Sequence, residues 1–241
     1  MKAMILAAGL GTRLRPLTNK MPKALVRIRD KTLLDIAINN LTKYCFNEII
    51  INVHHFAEQI IHYLKENKYD AEIHISDESE KLLDTGGGLK KTARFFKDVN
   101  RFLIYNVDII SNLDLSDFIK HFDNSDNIAS LVVRKRASSR YLMLNANNVL
   151  CGWKNVNTGE EIKSNRSENL SEFAFSGIHI LSPEIFSLMP DKDRFSMIDL
   201  YLSIMNEKKV NGYLDNDSFW LDVGDPQKII TAEENYSKYI S

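Results

Sequence analysis

An uninterrupted apolar run, Ala3-Met4-Ile5-Leu6-Ala7-Ala8, leads directly into Gly9-Leu10-Gly11-Thr12-Arg13-Leu14-Arg15-Pro16. A short strand without polar alternation is buried on both faces, the situation of an inner strand in a parallel sheet. The glycines after it let backbone N–H groups turn inward around an anion. The same run excludes two familiar phosphate loops. A dinucleotide-binding turn needs a small residue where Leu14 stands and a helix that starts at once, whereas Pro16 drives Arg15 toward an extended backbone. A P-loop needs Gly-Lys-Ser/Thr, which does not follow. What is left is a long phosphate-binding loop with its own cations, Arg13, Arg15, Lys20 and Lys23. Arg13 and Lys23 are expected on an exposed stretch of it.

The rest of the first half alternates strand and helix signals. Helix periodicity runs over Thr32–Cys45, Ala57–Lys65 and Leu115–Phe122. A further helix over Leu89–Phe96 is entered through Gly86-Gly87-Gly88. Strands are predicted at Glu48–Val53, Ala71–Ile75 and Phe102–Val107. This order argues an α/β fold with a Rossmann-like, mainly parallel sheet and helices on both faces. Ligands then bind at the carboxyl ends of the strands. The second half is strand-like at Ile128–Arg134, Tyr141–Leu144 and Phe173–Leu181, so the sheet is mixed there. The polar stretch Asn155–Ser171 reads as a mobile hairpin or lid loop. Helices follow near Pro183–Met189 and Met197–Glu207, then a strand, then a last helix capped by Asp225 before Pro226. We read residues 1–241 as a single domain of two halves, 1–125 and 126–241.

The 241 residues carry a formal net charge of −1, which gives no global reason to expect nucleic acid or an anionic membrane as partner. No run approaches the roughly 18 apolar residues of a membrane span, and the N-terminal run is too short for a signal segment. A cytoplasmic protein is expected. Cys45 and Cys151 sit in no metal or redox spacing and read as reduced core thiols. None of the six histidines has metal-ligand spacing, and His54 and His55 at a strand end read as structural.

The run from Leu6 to Thr18, followed by Met21-Pro22-Lys23-Ala24-Leu25, resembles the signature of the sugar-1-phosphate nucleotidyltransferases. The resemblance continues through Asp84-Thr85-Gly86-Gly87-Gly88, Asn106-Val107-Asp108, Phe175-Ser176-Gly177-Ile178 and Trp220-Leu221-Asp222-Val223-Gly224-Asp225-Pro226. Within that family the chain is similar to the short bacterial N-acetylmuramate-1-phosphate uridylyltransferase type. It has no room for the C-terminal β-helix of longer relatives.

The resemblance implies attack of a sugar phosphate oxygen on the α-phosphorus of a nucleoside triphosphate, with pyrophosphate leaving. The nucleophile is already charged, so catalysis is mostly positioning and charge neutralisation. It implies that Arg13 grips the β,γ-phosphates, that Lys23 grips the α-phosphate, and that Asp108 and Asp222 hold Mg2+ or Mn2+. Asp84 and Asp225 are weaker metal candidates, the latter better explained as a cap. The nucleotide is expected against Leu6, Ala7, Ala8, Gly9, Gly11 and Thr12, with its base near Gly86 and Gly87 and its edge read by Asn52. On the sugar side, Cys151-Gly152-Trp153-Lys154-Asn155 stands where relatives have Glu-Glu-Lys-Pro. Lys154 is retained as a phosphate partner and the glutamate is lost. Gly152 is expected to open the pocket, and Gly177 to let backbone approach the sugar. Trp153 is either a cover for a sugar substituent or a core residue. Val107 and Asp225 depart from the residues frequent at their positions in relatives.

The implied substrates are UTP and N-acetylmuramate 1-phosphate. Mannose 1-phosphate with GTP, and glucose 1-phosphate with UTP or dTTP, are the alternatives. A nucleotide-binding oxidoreductase is disfavoured by Leu14, Pro16 and the absence of an acidic residue at Asn52. A catalytically dead nucleotide sensor is disfavoured by the presence of Arg13, Lys23, Asp108 and Asp222 together.

Overall fold

The computed structural model describes residues 1–165 and 168–239. The first half contains β1 (Lys2–Leu6), β2 (Arg27–Ile28), β3 (Lys31–Thr32), α1 (Leu33–Lys43), β4 (Glu48–Val53), α2 (Ala57–Glu66), β5 (Glu72–Asp77), α3 (Asp84–Lys91), β6 (Phe102–Asn106), β7 (Ile109–Ser111) and α4 (Leu115–Asp123). The second half contains β8 (Ala129–Arg134), β9 (Arg140–Leu144), β10 (Leu150–Asn155), β11 (Glu161–Lys163), β12 (Ser171–Leu181), α5 (Met197–Ile204), β13 (Val210–Leu214), β14 (Trp220–Asp222), α6 (Pro226–Glu234) and α7 (Tyr236–Tyr239).

β1 lies inside the sheet, parallel to β4 on one side and to β6 on the other, and β5 extends the parallel set beyond β4. Its side chains show why the run carries no polar alternation. Ala3 and Ile5 enter one core with residues of α1, α2 and α4. Met4 enters a second core on the opposite face with Leu89 of α3 and Met197, Leu200 and Tyr201 of α5. Successive strand residues face opposite sides, so helices cover both faces as the apolar strands require. β12 then joins β6 antiparallel, and its two ends pair with β8 and β9. This makes the sheet mixed in its second half, with ten strands among the described residues.

Caps fix the helix starts. Thr32 accepts from the Asp35 amide at 3.0 Å while the Asp35 carboxylate accepts from the Thr32 amide at 2.9 Å, a reciprocal box at the head of α1. Asp114 caps α4 and Asp225 caps α6.

Several expectations need correction. Gly86-Gly87-Gly88 do not precede a helix but form the body of α3, which ends at Lys91 before a separate 3-10 turn at Ala93–Phe96. Leu150–Asn155 is a strand, because the apolar Leu150 and Cys151 pack inward while the chain pairs with β9 and β11. The stretch 155–171 is therefore partly an ordered hairpin; residues 166 and 167 lie outside the described residues. Cys151 is buried, but Cys45 is exposed in the turn after α1, with φ of 61°.

Candidate active site

The loop after β1 behaves as its sequence requires. Arg15 is extended (φ −61°, ψ 139°) and short 3-10 turns replace any helix. Gly11 has φ of 63°, and its carbonyl accepts from Thr18 Oγ1 at 2.7 Å, which folds the loop back on itself. The start of the loop is tied to β4. The Ala7 amide donates to Asn52 Oδ1 at 2.8 Å, and Asn52 Nδ2 donates to Glu78 Oε1 at 2.8 Å. Burial pushes the Glu78 carboxyl above its ordinary pKa, partly opposed by the Asn52 bond.

The loop, β4, α3 and the end of β6 enclose a cleft of about 480 Å³ at the carboxyl ends of the strands. Leu6, Ala7, Ala8, Gly9, Gly11, Thr12, Arg13, Lys23, Asn52 and Asp108 line it. Asn52 has both ends of its amide engaged, so its structural task is to hold Ala7. Asp84, a weaker metal candidate, and Thr85 beside it also line the cleft, as do Leu82 and Arg194, which escaped the sequence reading. Arg194 offered one signal, a cation just before the buried Phe195.

Gly86 and Gly87 stand behind the cleft rather than in it. A Cβ on Gly86 would lie 2.4 Å from the Phe195 ring, and one on Gly87 would lie 1.9 Å from the Asp193 carbonyl oxygen. Both amides donate to the Phe195 carbonyl, at 2.9 and 3.2 Å. These glycines clamp α3 to the 193–195 segment and thereby seat Arg194 at the cleft.

The acidic centre is assembled by a short antiparallel pair. β14 pairs with β7 so that Asp222 stands opposite Ile109, and the Val223 amide donates to the Asp108 carbonyl at 2.8 Å. Asp108 and Asp222 are thereby neighbours although 114 positions apart. Asp108 forms a direct ion pair with Lys23. Lys23 is not exposed as expected: its side chain is 11% accessible, whereas that of Arg13 is 66% accessible. Arg13 Nη2 and Lys228 Nζ approach Asp222 Oδ2 loosely, at 3.9 and 3.8 Å. Asp222 Oδ1 is buried and has no hydrogen-bond partner among the described residues. A buried carboxylate oxygen without a donor fits a divalent cation, which takes carboxylate oxygens together with phosphate oxygens and water.

On the sugar side, Gly177 has φ of 77°, and a Cβ there would lie 2.9 Å from Asn106 Nδ2, so β12 crosses close against the end of β6. Lys154 Nζ donates to Glu172 at 2.9 Å, and this pairing raises the lysine pKa. Gly152 does not open a pocket. A Cβ there would lie 2.5 Å from the Ile162 carbonyl oxygen and 2.5 Å from Met143 Cε, so packing of β10 on β11 and β9 explains it. Trp153 packs partly against the second core, and its edge lines a groove of about 200 Å³ with Tyr141, Phe175, Ile198 and Arg140.

The pattern of the nucleotidyl transferase family matches residues 2–239. The chain belongs to that family. Among relatives of this nucleotidyl transferase is the N-acetylmuramate alpha-1-phosphate uridylyltransferase of Caulobacter vibrioides, 32% identical over 241 residues that cover 96% of this chain and 95% of the relative. Another is the mannose-1-phosphate guanyltransferase 2 of Candida glabrata, 28% identical over 249 residues that cover 100% of this chain and 66% of the relative. The fold is shared with a crystal structure described as a putative glucose-1-phosphate thymidylyltransferase from Bacillus anthracis, with a TM-score of 0.80, 17% identity and coverage of 99% and 96% of the two chains. The chain is a sugar-1-phosphate nucleotidyltransferase. No helix among the described residues is long and apolar enough to cross a membrane.

Proposed function

We propose that this nucleotidyltransferase joins UTP to N-acetylmuramate 1-phosphate, giving the UDP-sugar and pyrophosphate. A nonbridging oxygen of the sugar 1-phosphate attacks the α-phosphorus. The bond from that phosphorus to the β-bridging oxygen breaks, and pyrophosphate departs with the electron pair. The observation that carries the reaction is the neighbouring pair Asp108 and Asp222 at the mouth of the glycine loop, one neutralised by Lys23 and the other with a buried, partnerless oxygen. In this reading Asp108 and Asp222 hold magnesium or manganese, which supplies neutralisation of phosphate charge when bound. Lys23 exchanges Asp108 for the α-phosphate, and Arg13, exposed at the rim, closes on the β,γ-phosphates. The backbone of Leu6–Ala8 and the amides around Gly9, Gly11 and Thr12 cradle the nucleotide. Losing either cation costs on the order of 10²–10³ in rate if it acts as an oxyanion donor does.

The choice of sugar rests on the groove beside Trp153. Its aromatic walls, Tyr141, Trp153 and Phe175, suit an acetyl or lactyl methyl, and Arg140 at its rim suits the lactyl carboxylate. The relative in Caulobacter vibrioides supports the same pair of substrates.

The test is pyrophosphate release from a panel of nucleoside triphosphates and sugar 1-phosphates. The expected result is a kcat/KM at least tenfold higher for UTP with N-acetylmuramate 1-phosphate than for GTP with mannose 1-phosphate, about 1.4 kcal/mol in transition-state binding. The reverse preference overturns the substrate reading. Absence of turnover with every pair overturns the reaction.

A further inference from the structure

We propose that Arg136 holds the 1-phosphate of the acceptor sugar, a part first assigned to Lys154. The proposal rests on the reaction described above. Arg136 lies just past the end of β8, and its side chain is only partly accessible. Its guanidinium covers the ring of Trp220, 4.3 Å from the centroid. Nη2 donates to the Phe175 carbonyl at 2.9 Å and Nη1 to the Ala137 carbonyl at 3.3 Å, while Nε is buried and has no partner among the described residues.

No carboxylate among the described residues forms an ion pair with this guanidinium, which separates it from its neighbours. Arg134 is paired with Asp215 at 3.0 Å, Lys154 with Glu172 at 2.9 Å, and Lys23 with Asp108. A half-buried guanidinium without a counter-ion carries a desolvation cost, and arginine does not escape it by losing its proton. Burial lowers the Arg136 pKa from its ordinary value, and the charge of Asp222 opposes that shift.

Two partnerless buried atoms therefore meet on one surface. Trp220 and Asp222 are two residues apart on β14, so their side chains share a face. Arg136 covers that face at Trp220, and Asp222 Oδ1 points from it without a donor. A guanidinium Nε without an acceptor and a carboxylate Oδ1 without a donor are resolved by a phosphate on the first and a cation on the second. A guanidinium fork matches two phosphate oxygens. The phosphate is the acceptor's, because the carbonyl that orients Arg136 belongs to Phe175, two residues from Gly177 and at the aromatic groove, whereas the triphosphate cations Arg13 and Lys23 line the glycine-loop cleft, which Arg136 does not.

The experiment measures KM and kcat for wild type, Arg136→Met and Arg136→Lys with UTP, using N-acetylmuramate 1-phosphate and N-acetylglucosamine 1-phosphate as acceptors. Wild-type turnover is recorded first, so that failure of the reaction reading is seen separately. The expected result for Arg136→Met is a rise of tenfold or more in the KM of both acceptors, with the KM for UTP within twofold of wild type. Arg136→Lys keeps the charge without the fork and should fall between the two. Unchanged acceptor KM values, or an equal rise in the KM for UTP, overturn the proposal. A rise confined to the lactyl sugar also overturns it, since the contact would then be to the carboxylate. If Arg136→Met does not fold, the lysine variant decides alone: an acceptor KM raised threefold or more supports the proposal, and one within twofold of wild type overturns it.

Discussion

The guanidinium of Arg13 occupies the space that a side chain at Gly224 would fill: a Cβ there would lie 2.7 Å from Arg13 Nη2 and 2.9 Å from Asp222 Oδ1. Gly224 therefore sets how near the exposed arginine comes to the acidic pair, and it does so without a positive φ.

Gly224→Ala follows directly. The obstructing atoms are the far end of the exposed Arg13 side chain, which swings away at little cost to folding, and Asp222 Oδ1, which the added methyl crowds. The arginine then no longer waits beside Asp222. Misplacing a positioning group by about 1 Å costs up to ~10² in rate. The expected outcome is a fall of about 10- to 100-fold in kcat/KM with a melting temperature within about 3 °C of wild type. A variant with wild-type turnover removes Arg13 placement from the account.

His179 predicts a pH dependence of stability. It is fully buried on β12 and hydrogen-bonded to the Tyr201 hydroxyl, and burial pushes its pKa down to about 3. The unfolded histidine titrates near 6.5. Between these values the unfolded chain binds a proton that the folded chain refuses, so stability is complete above about pH 6.5 and falls as pH drops. The slope from this one group is about 1.4 kcal/mol per pH unit. His179→Gln should flatten the urea-derived stability profile between pH 6 and pH 4 by about that amount. Equal slopes for the two proteins would show that His179 is protonated in the fold.

Much of this was readable in the residues, and the limits have physical causes. The β1 run declared a strand buried on both faces, and Pro16 excluded a helix after it, because both are local constraints on backbone and solvent. Thr32 and Asp225 marked helix starts for the same reason. Gly86 and Gly87 were misplaced because a glycine run has no hydrophobic face of its own; what positions it is the Phe195 ring and Asp193 carbonyl, more than 100 residues on. The burial of Lys23 was invisible because its partner, Asp108, comes from the turn between β6 and β7, 85 residues on. Gly152 was read as room for a sugar, whereas the contact that demands it is a neighbouring strand. Arg136 gave no sequence signal, since a cation becomes conspicuous only once its lack of a counter-ion is seen.

The Lys23–Asp108 pair lends itself to a double-mutant cycle. Their side chains are 11% and 20% accessible, so removing one charge leaves the other poorly solvated. Lys23→Met should therefore destabilise by about 3 kcal/mol, toward the lower end for a broken buried pair. Asp108→Asn in that background should recover at least half of the loss, giving a coupling of about 1.5 kcal/mol or more. Urea unfolding in metal-free buffer provides the four values. Strict additivity would mean that the pair contributes nothing to the fold and that Lys23 is held by other contacts.

Asp222 should show function and stability moving in opposite directions. Its Oδ1 is buried without a donor, and the nearest cations, Arg13 and Lys228, stand 3.9 and 3.8 Å from the other oxygen. In metal-free buffer that arrangement leaves a carboxylate incompletely compensated, and Asp222→Asn removes the charge without changing the shape. The variant is expected to be as stable as wild type or more so, by up to about 1 kcal/mol. With magnesium and UTP present the order should reverse. A ligand at 100 times its Kd stabilises the folded state by about 2.7 kcal/mol, and an amide does not balance a divalent charge. Wild type should thus gain several degrees in melting temperature from magnesium with UTP, and Asp222→Asn should gain far less while its turnover falls on the order of 10²-fold or more. The same thermal shift in both proteins, with turnover unchanged at saturating metal, would assign Asp222 to the scaffold of the β7–β14 pair.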